Sequence, residues 1–224
     1  MLAVPRDEPA SRLIHVTDGI GHTDLCHCIA HRIPFTREGW IFELKHDGFR
    51  ALARTGPGAA LLSRTGSSMT EEFPEVAAAL ARLPDAVLDG ELVVPTKQKR
   101  SDFEELRRRN LLQRPRMIGD AAARRPAVLV VFDLLAIQGD DLRTLPLFER
   151  RRALHAHVDQ VPGIQIIEHV ETHGEALFHA IVEGDHEGIV AKRGDGPYPA
   201  GPHNAWLKIK NRDYSRRGAV EWHG

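Results

Sequence analysis

A chain of 224 residues has room for one large domain or two small ones, and an apolar fraction of 42% can bury a sizeable core. A formal net charge of −1 excludes a protein that coats nucleic acid by bulk charge. No run approaches the roughly 20 apolar residues that span a bilayer, and the N-terminus lacks the apolar stretch of a secretory signal. The two cysteines, Cys26 and Cys28, are too close together to staple a fold, which suits a reducing cytoplasm.

Residues 1–36 mix Pro, Asp, Gly, His and Ser without periodicity and read as an irregular leader that wraps onto the domain. Inside it, His22, Cys26, His27, Cys28 and His31 have the chemistry of zinc ligands but not a standard structural-zinc spacing, so packing is the preferred reading. Strands are predicted over 40–44 and 49–54, flanking the polar turn His46-Asp47-Gly48, and over 59–63 after Gly56-Pro57-Gly58. Phe73, Val76, Leu80 and Leu83 recur at helical spacing, which predicts a helix over 71–83 ended by Pro84. Short strands over 86–88 and 92–94 stand on either side of Asp89-Gly90-Glu91.

A helix over 101–111 takes Ser101 as its N-cap, with Glu104 completing a capping box. The continuous apolar run 127–135 predicts a strand buried on both faces. Helices follow over 147–158 and 174–182, and strands over 163–168, 188–192 and 205–210. Without regular βαβ alternation, this order predicts an α+β fold with largely antiparallel sheets. The arginines at 107–109, 114, 116, 124–125, 150–152, 212, 216 and 217 read singly as solvated helix faces and jointly as a phosphate-tracking surface.

The chemistry centres on Lys45, which follows the apolar run Trp40-Ile41-Phe42 and enters a turn. A lysine attacks only when neutral, and its pKa falls on desolvation or beside other cations. Alone, Lys-x-Asp-Gly is a common surface turn. Here Gly48 permits a tight turn, Asp47 can orient the amine, and Arg50 points to the same mouth. His46 reads as incidental.

Asp89-Gly90-Glu91 can present two carboxylates to a ribose hydroxyl or a metal, and Phe132 can stack on a base, although alone it would be a core residue. Glu187 precedes an apolar strand that ends at Lys192. Strand alternation puts Lys208 and Lys210 on one face and Leu207 and Ile209 on the other. Two cations side by side are costly unless an anion such as a triphosphate joins them. These groups together predict a nucleotide-transfer site that uses a divalent metal, Mg2+ or Mn2+.

The runs Lys45 to Arg50, Asp89 to Glu91, Phe132 to Leu135, Glu187 to Lys192 and Leu207 to Lys210 resemble, in order, the five motifs of covalent nucleotidyltransferases. The sequence is most similar to the adenylation domain of bacterial ATP-dependent DNA ligases of the repair type, as in Trp40-Ile41-Phe42-Glu43-Leu44. Ser63-Arg64-Thr65-Gly66 resembles the family element that faces the nicked strand, which marks Arg64 as DNA-binding.

The resemblance implies an ATP-grasp-like adenylation fold, antiparallel sheets flanked by helices. It implies that Lys45 attacks the α-phosphorus of ATP while Lys208 and Lys210 hold the α-phosphate. Glu43 would receive the adenine amino group, Arg50 the ribose, and Glu91 the ribose hydroxyl or the metal. Glu187 would bind the metal, Phe132 and Val190 would sandwich the purine, and Lys192 would join the nucleotide site. A carboxylate at Glu43 favours adenine, whose exocyclic amine donates, over guanine, whose carbonyl accepts. AMP would pass to a DNA 5′-phosphate for nick sealing, with nicked or broken DNA and repair proteins as partners, no membrane, and a monomer in the cytoplasm.

By the same resemblance the chain divides into a leader (1–33), an adenylation domain (34–214) and a tail (215–224). Only about 14 residues follow Lys210, too few for the OB-fold domain that usually comes next, so a stand-alone adenylation module is expected. Alternatives are an RNA ligase or other polynucleotide nucleotidyltransferase, or a non-catalytic module that binds nucleotides or DNA ends.

Overall fold

Two β-sheets stack face to face, and each carries helices on its outer side. The computed structural model describes residues 19–97, 100–158 and 161–215. Its strands are β1 (Cys26–Ala30), β2 (Trp40–Leu44), β3 (Phe49–Arg54), β4 (Ala60–Ser63), β5 (Ala86–Val93), β6 (Val128–Ile137), β7 (Asp140–Asp141), β8 (Ile164–Ile166), β9 (His169–Glu171), β10 (Gly188–Arg193) and β11 (Gly201–Lys210). Its α-helices are α1 (Pro74–Leu80), α2 (Phe103–Asn110), α3 (Pro115–Arg124), α4 (Leu147–His157) and α5 (Gly174–Glu183).

One sheet runs β1-β11-β10-β2-β9 and the other β4-β3-β5-β6-β7, with β8 also on β6. All pairings are antiparallel except β1 with β11 and β6 with β8. The expected α+β class with largely antiparallel sheets is therefore what forms. Among the described residues no helix is long and apolar enough to cross a membrane.

Burial follows strand alternation. Leu129, Val131 and Leu134 of β6 pack with Phe73, Val76, Leu80, Leu106 and Leu154 beneath α1, α2 and α4. Val130, Phe132 and Leu135 of the same strand meet Cys26, Ala205 and Trp206 between the sheets. That double burial is why the run is apolar apart from Asp133, whose charge is met by Arg150. A third cluster seats Ile181 of α5 on Trp40, Phe42, Ile189 and Ile209.

Several local expectations change. Residues 19–33 are no irregular leader: His22–Asp24 form a 3-10 turn and β1 is an edge strand of the first sheet, so a boundary at 34 cuts through folded structure. Residues 1–18 and 216–224, including Arg216 and Arg217, lie outside the described residues. Asp89-Gly90-Glu91 is not a break between strands but the middle of β5, where a register shift against β6 absorbs the irregularity. The cap of α2 is Asp102, which accepts from the Glu105 N–H at 3.0 Å, rather than Ser101. The helix expected over 71–83 contracts to α1, entered through Pro74. Arg109, Arg150 and Arg151 are buried rather than solvated or phosphate-tracking, paired with Glu75, Asp133 and Glu43.

Candidate active site

β2 delivers Lys45 to the mouth of the cleft between the sheets. The Lys45 N–H donates to Gly188 O at 2.8 Å, which ties the Lys45 backbone to the start of β10. Gly188 sits at φ +146°, and a Cβ there would strike Ile209 O, so only glycine serves. Gly48 is needed for a different reason than tight turning. A Cβ would collide with Leu92 O, so the turn presses directly onto β5.

The Lys45 ammonium lies 2.6 Å from Glu187 Oε2, and Lys210 Nζ lies 3.3 Å from Glu187 Oε1. One carboxylate thus holds two lysines drawn from different strands. Arg50 pairs with Asp89 through Nε and Nη2 at 2.5 and 2.6 Å, donates to Cys26 O at 3.2 Å, and stacks on the Phe132 ring at 4.6 Å. Asp89 also accepts from the Tyr198 hydroxyl at 2.5 Å. Asp89 is therefore a buried buttress for Arg50, not a ligand offered to ribose or metal. Glu91 faces Arg50 across the β3–β5 ladder. Burial, aided by the Glu187 and Asp89 charges and opposed by Arg50 and Lys45, pushes its carboxyl up to about 7. Burial, with the nearby His186 and Lys45, pushes the His46 imidazole down to about 4.

Glu43, Lys45, Arg50, Glu91, Phe132, Val190, Lys192 and Lys208 all line one narrow cavity of about 90 Å³. Val190 and Phe132 come from opposite sheets. Lys192 is buried, 2.7 Å from Glu43 Oε2 and stacked over Phe132 and Trp206 at 4.2 and 4.0 Å. The cavity shares Lys45, Arg50, Glu91 and Lys208 with an open groove of about 790 Å³, which adds Arg64, Glu187 and Lys210. Every residue assigned a role by the resemblance therefore borders one of two adjoining spaces, whereas Asp89 lies behind them.

Sequence reasoning missed Tyr198, Trp206, Cys28 and Arg151, all of which shape the cavity or its supports. Tyr198 lies in Gly196-Pro197-Tyr198-Pro199, which carries no local mark of function. Among the described residues no three His, Cys, Asp or Glu side chains converge as a metal-holding group. The five residues of the zinc reading are dispersed: Cys26 enters the inter-sheet core, Cys28 faces the cavity, His27 borders the groove, His22 packs against Gly66, and His31 meets the Phe35 ring edge-on.

An inter-sheet cleft with a lysine at its mouth, edge-to-face aromatics inside and two lysines on β11 fits the nucleotidyltransferase class. Residues 25–210 match the family described as ATP dependent DNA ligase domain, and the chain belongs to that family, an enzyme class that uses ATP. It is 32% identical over 191 residues to the bifunctional non-homologous end joining protein LigD of Bacillus subtilis, covering 77% of this chain and 31% of that protein. It is 39% identical over 166 residues to DNA ligase C2 of Mycolicibacterium smegmatis, covering 71% of this chain and 46% of that one. Among solved structures, mycobacterial DNA ligase D complexed with ATP and MES superposes with a TM-score of 0.70 at 26% identity, over 84% of this chain and 60% of that one. The chain thus spans about a third of LigD and under half of DNA ligase C2.

Proposed function

We propose that Lys45 becomes covalently joined to AMP and that the domain passes this AMP to a DNA 5′-phosphate in the sealing of nicks during repair. The observation that carries the reading is the placement of Lys45. Lys45 borders both the narrow inter-sheet cavity and the open groove, and its amine lies 2.6 Å from Glu187.

The neutral Lys45 amine attacks the α-phosphorus. A P–N bond forms, the bond to the bridging oxygen breaks, and pyrophosphate leaves with its electron pair. Glu187 Oε2 is placed to take the proton that the amine sheds. Lys208 and Lys210 neutralise the charge that gathers on the α-phosphate. Phe132 and Val190 sandwich the purine, Glu43 accepts from the adenine amine, and Arg50 and Glu91 hold the ribose. Lys192 keeps Glu43 in place.

Glu91 and Glu187 border the same groove, two carboxylates drawn from different sheets. Mg2+ or Mn2+ fits such a pair, because one or two carboxylates with substrate phosphates make its usual shell. Bound there, the ion would offset phosphate charge. In the second step a 5′-phosphate oxygen attacks the same phosphorus and the P–N bond breaks. The groove beside Arg64 suits the DNA strand, and a 3′-hydroxyl then displaces AMP. The reading places the protein in the cytoplasm as a monomer, with end-joining repair proteins as partners, in line with the relative named for non-homologous end joining.

Intact-mass analysis after incubation with ATP and Mg2+ or Mn2+ tests the first step. An AMP adduct is expected in the wild type and not in Lys45→Ala; an unmodified wild type overturns the reading. Pre-adenylylated nicked DNA and nicked RNA test the second step, and preferential sealing of RNA would overturn the DNA assignment.

A further inference from the structure

Three consecutive arginines on α4 look alike in sequence, but two of them turn inward to different partners. Neighbouring helix positions lie about 100° apart, so Arg150 and Arg151 reach different parts of the core. Arg150 meets Asp133 of β6. Arg151, only 3% exposed, reaches the wall of the purine cavity.

Its guanidinium makes four contacts there. Nη1 donates to Glu43 Oε1 at 2.8 Å and to Phe132 O at 3.4 Å. Nη2 donates to Ile167 O at 2.9 Å and meets His169 Nδ1 at 3.0 Å. Glu43 and His169 belong to one sheet, while Phe132 belongs to the other and Ile167 follows β8 beside it. Glu43, Phe132 and Ile167 all line the cavity. One planar, rigid fork therefore fixes the spacing of both sheets at the point where the purine would enter. Glu43 is held from both sides, by Arg151 on Oε1 and Lys192 on Oε2, so its remaining acceptor directions are set.

We infer that Arg151 is the positioning residue for base recognition: it aims the Glu43 carboxylate at the base. The inference rests on the adenylylation reading above. It assigns adenine selectivity to a residue outside the five motifs that touches no substrate atom. A fork that fixes Glu43 favours a ligand donating an exocyclic amine; without the fork, the carboxylate can swing and the preference for ATP over GTP weakens.

The test uses the full chain in a Lys45→Ala background, which separates binding from chemistry. Isothermal titration with ATP and with GTP, Mg2+ present, is compared for Arg151→Lys, Glu43→Gln and the combination. Arg151→Lys is expected to weaken ATP binding about tenfold while GTP changes less than about threefold, the scale of one lost charged hydrogen bond. The combination is expected to match Glu43→Gln alone, because both changes act through one carboxylate. His169→Ala, which removes one support at the edge of the network, is expected to shift the ATP-to-GTP ratio in the same direction by about twofold to threefold. Additive losses, or an unchanged ratio in both Arg151→Lys and His169→Ala, overturn the inference. If Arg151→Lys does not fold, the His169→Ala ratio alone decides. A wild type that binds ATP but forms no adduct sinks the adenylylation reading instead, and the Arg151 result still stands on the binding ratios.

Discussion

Lys45 and Lys210 share a single carboxylate, Glu187, at 2.6 and 3.3 Å on its two oxygens. The arrangement brings a lysine that follows β2 and a lysine that ends β11 to one anchor. Glu187→Gln keeps the shape but loses the charge. Enzyme–AMP formation by this variant is expected to fall by about 10²–10³, the range for loss of an acid–base or charge-stabilising group. Single-turnover mass analysis measures it, and a fall of less than fivefold would remove Glu187 from the proposed chemistry.

Tyr198 should matter through Arg50. Its hydroxyl supports Asp89, which in turn grips Arg50 in a two-point pair. Tyr198→Phe removes two buried hydrogen bonds, the one donated to Asp89 and the one accepted from the Cys26 N–H, each worth about 0.5–1.5 kcal/mol, and ATP affinity is expected to drop by about threefold to tenfold. Titration calorimetry in the Lys45→Ala background reads this directly. Unchanged affinity would mean that Arg50 is held well enough by Asp89 and Phe132 alone.

The Arg150–Asp133 pair is fully buried, with both Nε and Nη2 at 2.8 Å from the carboxylate. Removing one partner strands a charge in the core. Asp133→Asn or Arg150→Met is expected to cost about 3–5 kcal/mol, whereas Asp133→Leu with Arg150→Met together should cost less than either alone. Urea unfolding monitored by circular dichroism distinguishes the two outcomes.

Glu91 makes stability depend on pH. Its carboxyl is raised from 4.5 to about 7 in the fold, so the folded state holds its proton more tightly than the unfolded chain does. Its contribution is therefore fully present below pH 4.5 and is lost as pH rises through about 7. Glu91→Gln cannot ionise and avoids that loss. In metal-free and nucleotide-free buffer, Glu91→Gln is expected to melt above the wild type at pH 8 and together with it at pH 4.5. Equal melting offsets at both pH values would contradict the assignment. His46 runs the other way: lowered from 6.5 to about 4, it weakens the fold as pH falls across that interval.

What could be read in the sequence was chemistry carried by short contiguous runs. Lys45, Glu91, Phe132, Glu187, Lys192, Lys208 and Lys210 stand in strands or directly beside a strand end, so their convergence on one cleft followed from the motif order. Partners that are distant in the chain were illegible. Asp89 looked like a free carboxylate because Tyr198 lies 109 residues away. Arg151 looked like a surface arginine because Glu43 lies 108 residues before it. Helix α3 was missed because its buried residues are only Ile118 and Ala121, too sparse a stripe to register as a period. Strand β1 was missed because Cys26-His27-Cys28 suggests ligands before it suggests a strand, and its partner β11 comes at the far end of the domain.

The parallel seam between β1 and β11 bears on how the protein can be trimmed. A fragment beginning at residue 34 would keep all five motifs yet lose the strand that covers the outer edge of β11. The hydrogen-bonding groups of residues 201–208 would then be bare, an invitation to chain-to-chain pairing. The same cut would remove Cys28 from the cavity wall and His27 from the groove. A usable minimal fragment therefore has to start upstream of Ile20 and Leu25, whose buried side chains anchor β1 to the inter-sheet core.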